Sequence, residues 1–362
     1  MAFSFVLTGG GTGGHIYPAL AVARLLRERR HRLLFIGTRE KIESRIVPEA
    51  GYEIRFIRTG ALNRVSLGTR LRSAYRIPLG VADAWKYLRD FRPDAVFSTG
   101  GYVAGPVMMD AILRRVPIII MEPNATPGFA NRVVARFVHR ALLGFESSRR
   151  WFPTNRAEVT GLPVRSEFFH IQHRNSGPFT VLITGGSLGA RTLNRASRES
   201  WSSFRDAVPP VRVIHQAGSR DFDSLAAEFQ STGLQGEVVP FIADMPAAFA
   251  EADIVVARAG AGSVNEIAAA GMASVLVPLP FAADDHQRRN AEALAAKGAA
   301  RMVLDSEMTG RRLFEEVEQL RQDRAALSHM QEQVKAFANP HAAERAVEVL
   351  EQAAVAGTAP KR

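Results

Sequence analysis

The 362 residues, 46% apolar and 23% charged, suffice for two domains with full cores, and the lack of cysteine excludes disulfides, thiolate nucleophiles and cysteine-ligated metals, as suits a reducing cytoplasm. The first apolar run is only a strand long and has no basic leader, and no stretch reaches the roughly 18 to 20 apolar residues of a span, so neither a usual secretory signal nor a membrane-spanning helix is expected. The net charge of +10 is uneven: residues 1–164 hold 25 Lys and Arg against 12 Asp and Glu (net +13) and residues 165–362 hold 21 against 24 (net −3), which directs an acidic partner, nucleic acid or an anionic membrane surface, to the first half.

The chain opens on Phe3-Ser-Phe-Val-Leu-Thr8, an apolar and aromatic run that reads as a buried strand, followed by Gly9-Gly-Gly-Thr-Gly-Gly14 and His15. Ile16, Leu20, Ala23 and Leu26 then fall at helical spacing, so the segment is strand, glycine turn, helix. Such a turn lets backbone N–H groups approach an anion with no Cβ between, and the helix points its partial positive end at the same place. A phosphate or pyrophosphate is the expected guest. Gly9, Gly11 and Gly14 also satisfy G-x-G-x-x-G, which admits an NAD(P)-dependent oxidoreductase. Against that rival, the next strand, 32–36, runs into Gly37-Thr-Arg39 with no acidic ribose ligand, and an NADP reading through Arg39 would leave idle a second nucleotide seat later in the chain.

Residues 42–50 read as a short helix and 52–57 as a third strand. Between 60 and 92, Leu62, Val65, Leu67, Leu71, Ile77 and Leu79 alternate with Arg64, Arg70, Arg72, Arg76, Lys86, Arg89 and Arg92. That pattern suits an interfacial membrane contact, and equally a core-packing helix with a solvated basic face. A strand at 94–98 enters a third glycine turn, Thr99-Gly-Gly-Tyr-Val-Ala-Gly-Pro106, and a buried strand at 116–121 ends in Glu122-Pro-Asn124. Polar residues after the carboxyl end of a parallel strand lie where open α/β sheets bind ligands, so Asn124 is a candidate contact, with a plain turn residue as the alternative.

The pattern loosens at 160–178, which reads as the interdomain linker. The strand–turn–helix grammar then returns: a strand at 179–184, Gly185-Gly-Ser-Leu-Gly-Ala-Arg191 and a helix from Ala190, with further strands at 211–215, 237–241, 253–257, 274–278 and 300–304. From Gly310 the chain is helical, with Leu313, Val317, Leu320, Ala346, Val349 and Leu350 at packing intervals, and 355–362 is expected to fray. Parallel sheets with helices on both faces follow, in two domains that share a cleft.

Arg258-Ala-Gly-Ala-Gly-Ser-Val-Asn-Glu266 follows a strand and opens a helix whose first N–H groups, with Ser263, make a diphosphate seat, while Glu266 can take two vicinal hydroxyls or act as a cap. His15 can serve as general base for a substrate hydroxyl. Asp284, Asp285, His286 and Gln287 could bind sugar hydroxyls, but adjacent ligands suit a metal poorly. Asp221-Phe-Asp223 is literally D-x-D, yet it precedes a helical pattern and reads as an N-cap. A nucleic-acid-binding module would explain the charge but not three glycine turns at strand ends.

Gly10-Gly-Thr-Gly-Gly-His15, Gly100-Gly-Tyr-Val-Ala-Gly-Pro106, Gly185-Gly-Ser-Leu-Gly-Ala190 and Ser263-Val-Asn-Glu-Ile-Ala-Ala-Ala-Gly271, in this order over nearly the whole chain, resemble the MurG family of bacterial N-acetylglucosaminyltransferases, which convert lipid I to lipid II in peptidoglycan synthesis. The resemblance implies two Rossmann-like, doubly wound α/β domains of the GT-B glycosyltransferase type. Residues 1–164 would take the acceptor and the membrane, 165–340 would hold UDP-N-acetylglucosamine, and 341–362 would form a helix packing back toward the first domain, with a frayed tail. By position, Thr12, Gly13, Gly14 and Asn124 would approach the donor sugar, Arg165 and Ser187 the diphosphate region, and Ile242 the uracil. Ala261, Gly262, Ser263, Val264 and Asn265 would seat the phosphates, Glu266 take the ribose and Gln287 contact the GlcNAc. Gly10, Gly11, Gly100, Gly101 and Tyr102 would face the acceptor diphosphate, with His15 as base.

The same resemblance implies an inverting transfer that requires no metal or cofactor, lipid I as acceptor, and a peripheral place on the cytoplasmic face of the inner membrane. Its partners would be an anionic membrane surface and other cell-wall and division proteins, with no nucleic acid. Rivals within the fold are transfer to another lipid, such as a diacylglycerol, and epimerisation of UDP-GlcNAc. The chain departs from commoner family sequences at Met121-Glu-Pro-Asn124, Leu162-Pro-Val-Arg165 and Ala282-Ala-Asp-Asp-His286.

Overall fold

The computed structural model describes residues 1–59, 67–174 and 176–358, with side chains outside 67–77, 283 and 358. Of the basic amphipathic stretch, Leu62, Arg64 and Val65 lie outside the described residues, as do the side chains of Leu67, Arg70, Leu71, Arg72, Arg76 and Ile77; the backbone from Leu67 to Phe91 is one helix. Among the described residues no helix is long and apolar enough to cross a membrane. The chain divides into two compact units, Met1–Val164 with the chain from Asn339 onward, and Arg165–Ala338.

In the first unit β1 (Ser4–Gly9), β2 (Arg32–Gly37), β3 (Ile54–Phe56), β4 (Ala95–Gly100), β5 (Ile118–Glu122), β6 (Arg140–Leu143) and β7 (Ala157–Val159) form a parallel sheet in the order β3-β2-β1-β4-β5-β6-β7. Phe5, Val6 and Leu7, or Ile118, Ile119 and Ile120, are apolar at consecutive positions because both faces of such a sheet are covered. The sequence shows no sign of β6 and β7: runs of four and three residues are too short to carry a period. The strand order reverses between β1 and β4, the place where an open α/β sheet admits ligands at its carboxyl edge. A register shift after Thr8 sets Gly9 opposite Gly100, so the first and third glycine turns leave the sheet side by side.

Helix Ala342–Thr358 completes this unit, burying Ala346, Val347, Leu350, Ala353 and Ala354. Arg345 donates to both carboxylate oxygens of Glu158 (2.8 and 3.0 Å), while Glu351 accepts from Arg29 (2.7 Å) and His31 (3.0 Å). The helical backbone reaches Thr358, and the rest of the stretch expected to fray, 359–362, lies outside the described residues.

The second unit has β8 (Thr180–Thr184), β9 (Arg212–Gln216), β10 (Gly236–Val239), β11 (Ile254–Ala257), β12 (Ala273–Leu276) and β13 (Arg301–Met302) in the order β10-β9-β8-β11-β12-β13, all parallel, with the reversal between β8 and β11. The stretch 160–178 is not a loose linker. From Arg165 it belongs to the second unit: Phe168 is buried edge-on against Phe249, His173 binds the Ala270 carbonyl (3.0 Å) and Arg174 pairs with Asp253 (2.8 Å).

Candidate functional site

In the first unit the site is built from three turns. Gly11 has φ +89°, and the turn is braced by a residue that sequence reasoning missed, Glu43. Its buried carboxylate accepts from the Gly11 amide (3.0 Å), the Thr38 amide (3.2 Å) and the Thr38 hydroxyl (2.7 Å), and a Cβ on Gly10 would strike it at 2.5 Å. Gly100 and Gly101 adopt φ +94° and +85°, and a Cβ on Gly101 would lie 2.6 Å from the Gly10 carbonyl. Only glycine lets these two turns touch. The Gly11 and Gly100 amides are committed within the protein, the latter to Ser98 Oγ (3.2 Å). Tyr102 flanks Gly11, and burial raises its phenol pKa.

His15 is the third residue of helix Gly13–Glu28, whose N-cap is Thr12. Its Nδ1 lies 2.7 Å from the Thr99 carbonyl, which can only accept, so Nδ1 carries the proton and Nε2 is the basic nitrogen of the neutral ring. The strand-end turn after β5 centres on Glu122, also missed from sequence and 1% exposed. It accepts from the Asn124 amide (2.9 Å), Asn124 Nδ2 (3.3 Å), the Gly128 amide (3.1 Å) and Asn131 Nδ2 (2.7 Å), yet burial outweighs these four bonds and pushes its pKa up to about 7. Asn124 is thus fixed by the carboxylate beside it. Asn131 Oδ1 is buried without a partner.

In the second unit Gly186 (φ +84°) and Gly189 (φ +72°) shape the loop carrying Ser187, and Leu188 stands 88% exposed at its tip. Helix Ala261–Ala269 starts after Gly260. The Val264 amide is bonded within the helix, to Gly260 O (2.9 Å), and the buried Asn265 side chain donates to Ala261 O (2.8 Å). Of the residues expected at the anion seat, Ala261, Gly262 and Ser263 hold first-turn amides with no partner inside the helix, while Val264 and Asn265 lie beyond that turn. Glu266, a turn further in, is too late to be a cap. Burial raises its pKa to about 7, with the Arg165 charge pulling the other way. Gln287 accepts from the Leu279 amide (3.0 Å), and its Nε2 lies 4.0 Å from where a Cβ on Gly260 would be, beside the same helix start.

Asp284 and Asp285 are consecutive left-handed residues (φ 51° and 55°) ahead of helix His286–Ala295, a conformation that costs of order 1 kcal/mol or more each. Asp221 occupies the N-cap position of helix Phe222–Ser231, but its carboxylate accepts from Asn194 Nδ2 (2.8 Å) in place of capping the helix. Among the described residues no group of three or more His, Asp or Glu side chains is placed to hold a metal ion.

Comparison with known proteins gives a consistent picture. The glycosyltransferase family 28 N-terminal domain matches residues 5–143 and the family 28 C-terminal domain residues 180–346. A UDP-N-acetylglucosamine–N-acetylmuramyl-(pentapeptide) pyrophosphoryl-undecaprenol N-acetylglucosamine transferase of Solibacter usitatus is 53% identical over 354 residues, covering 98% of this chain and 97% of its own. One of the same name from Halorhodospira halophila is 43% identical over 355 residues, covering 96% and 98%. The crystal structure of Acinetobacter baumannii MurG is similar with a TM-score of 0.81 at 32% identity, over 97% of this chain and 99% of that one.

Proposed function

The chain belongs to the family of UDP-N-acetylglucosamine–N-acetylmuramyl-(pentapeptide) pyrophosphoryl-undecaprenol N-acetylglucosamine transferases, within glycosyltransferase family 28, and from that premise we propose the course of its reaction. It transfers N-acetylglucosamine from UDP-GlcNAc to the C4 hydroxyl of the N-acetylmuramoyl unit of lipid I, giving lipid II. The observation that carries the donor assignment is the helix start at Ala261–Ser263 with Glu266 and Arg165 beside it. Open amides meet a diphosphate, and a carboxylate meets the paired hydroxyls of a ribose.

The second unit holds the nucleotide, with Ile242 at the uracil, Ser187 and Arg165 at the diphosphate, Ala261, Gly262 and Ser263 at its oxygens, and Gln287 at the GlcNAc. Thr12, Gly13, Gly14 and Asn124 serve the donor sugar. The lipid-borne diphosphate is met by Gly10, Gly101 and Tyr102, while Gly11 and Gly100 contribute their lack of a side chain. His15 Nε2 takes the proton of the C4 hydroxyl as that oxygen attacks C1 of GlcNAc in line. The bond from C1 to the diphosphate breaks, UDP leaves with the electron pair, and the anomeric configuration inverts. The helix amides and Arg165 stabilise the charge that collects on the departing oxygen.

The protein works at the cytoplasmic face of the inner membrane, bound peripherally through the first unit. In support, Trp85, Leu113, Phe129 and Phe137 are large apolar side chains left exposed there. A cavity of about 460 Å³ in the same unit is lined by Arg115, His139, Arg140 and Arg156 with no carboxylate. Basic and aromatic groups together suit an anionic lipid surface. The deciding experiment incubates the protein with UDP-GlcNAc and a lipid I analogue in anionic vesicles. A GlcNAc–MurNAc disaccharide lipid with stoichiometric UDP is expected; an epimerised nucleotide sugar, or transfer to diacylglycerol instead, would overturn the reading.

A further inference from the structure

Gln216 ends β9, the strand between β8 and β10, and sits opposite Thr184 on one side and Val239 on the other. It is 1% exposed, so it cannot touch a ligand at the sheet edge. Both ends of its amide are used, and toward different neighbours. Nε2 donates to the Gly186 carbonyl (2.8 Å) and to Thr184 Oγ1 (3.2 Å), the oxygen that also accepts from the Gly186 amide (3.2 Å). Oε1 accepts from the Ile242 amide (2.8 Å). One side chain thus ties the loop that carries Ser187 to the segment that carries Ile242.

The backbone that follows reinforces this tie. A Cβ on Gly189 would fall 1.9 Å from the Ala217 carbonyl, and one on Gly218 would fall 2.4 Å from the Leu188 carbonyl, so the two loops ride directly on each other. The segment after β10 has less holding it. Phe241 is 58% exposed, and between Val239 and the N-cap Asp244 the bond from the Ile242 amide to Gln216 anchors the backbone. No other side chain of this size offers a donor and an acceptor at opposite ends: glutamate lacks the donor, methionine lacks both, and asparagine is shorter.

We propose that Gln216 is a positioning residue that couples the nucleobase side of the donor seat to its diphosphate side, so that a uridine placed at Ile242 sets the Gly186 loop for the diphosphate. This rests on the assignment of Ile242 and Ser187 to the nucleotide. Uracil recognition is thereby transmitted to a part of the donor the base does not reach. A sugar diphosphate without its base meets a loop that has not been set.

The test compares calorimetric binding of uridine and UDP by the unaltered chain, Gln216→Met and Gln216→Glu, with melting curves to confirm that each variant is folded. Gln216→Met should lower UDP affinity about tenfold or more, since it loses all three side-chain hydrogen bonds that tie the two segments. Gln216→Glu keeps the acceptor for Ile242 but turns a carboxylate oxygen on the Gly186 carbonyl. At pH 8 its UDP affinity should fall about three- to tenfold relative to the unaltered chain, with uridine little changed. At pH 6 protonation of the buried acid restores a donor to Gly186, and the deficit should shrink. Equal UDP and uridine losses in Gln216→Glu that ignore pH, or unaltered UDP affinity in Gln216→Met, would overturn the coupling. Failure of the unaltered chain to bind UDP would instead bring down the nucleotide assignment, and the coupling with it. If Gln216→Met does not fold, the pH dependence of Gln216→Glu decides alone.

Discussion

Replacing Glu122 with glutamine tests how the strand-end turn beside the site is held. The folded carboxyl has its pKa pushed up to about 7, so up to neutrality it is present as the acid, with one O–H to donate. Asn131 Oδ1, buried and without a partner, is the acceptor within its reach once the Asn131 amide turns over. Glutamine copies that neutral form. Its oxygen can keep the two bonds from Asn124, and its NH2 can serve Asn131, but it cannot accept from the Gly128 amide as the acid does. One buried donor left unmatched costs about 1–2 kcal/mol at pH 5.

The gap should then close as pH rises. Between the ordinary carboxylate pKa and about 7 the native state keeps a proton that the unfolded chain has released, so the stabilisation is complete at low pH and is lost as pH climbs through 7. The loss amounts to at most about 3 kcal/mol. Urea unfolding of both proteins at pH 5, 6, 7 and 8 measures it: the deficit of the Glu122→Gln variant should shrink steadily, and by pH 8 it should vanish or reverse, leaving the unaltered chain the less stable of the two. A difference that stays constant or widens with pH means that four donors keep Glu122 ionised throughout, and the reasoning fails.

His15→Ala should cut turnover by about 10²- to 10⁴-fold while UDP affinity stays within about threefold; retained turnover would remove the base role. Unaltered protein should bind UDP more tightly as pH rises through about 7, where Glu266 ionises and can accept from both ribose hydroxyls, and Glu266→Gln should lose that dependence; identical pH profiles in calorimetry would count against the ribose contact. Leu350→Ala should cost about 2–5 kcal/mol and speed hydrogen exchange in β1 and β4, since Leu350 is fully buried in the first unit; unchanged exchange there would refute the packing argument.

The sheet and its turns are legible in the sequence because parallel strands buried on both faces leave unbroken apolar runs, as at 3–8 and 116–121, and glycines mark where each run ends. The residues that brace the turns are not. Glu43 lies in an ordinary amphipathic stretch, and nothing local announces that its carboxylate closes on Gly11, 32 residues earlier. Glu122 and Gln216 give a fainter signal, a polar residue directly after a buried strand, which could have been read as inward-facing. For the anion seat the sequence is silent on a different point. The motif runs through Val264 and Asn265, but hydrogen bonding within the helix begins to claim amides at the fourth position, which a motif does not record.

The return of helix Ala342–Thr358 to the first unit makes the second unit an insertion within the first, and this sets the order of assembly during translation. The stripe on helix Gly13–Glu28 that this helix covers emerges from the ribosome before residues 165–338 are made. At ordinary elongation rates that interval is roughly ten to thirty-five seconds. Throughout it the nascent first unit carries an uncovered apolar flank, whereas the inserted unit has all of its sequence in hand and can close at once.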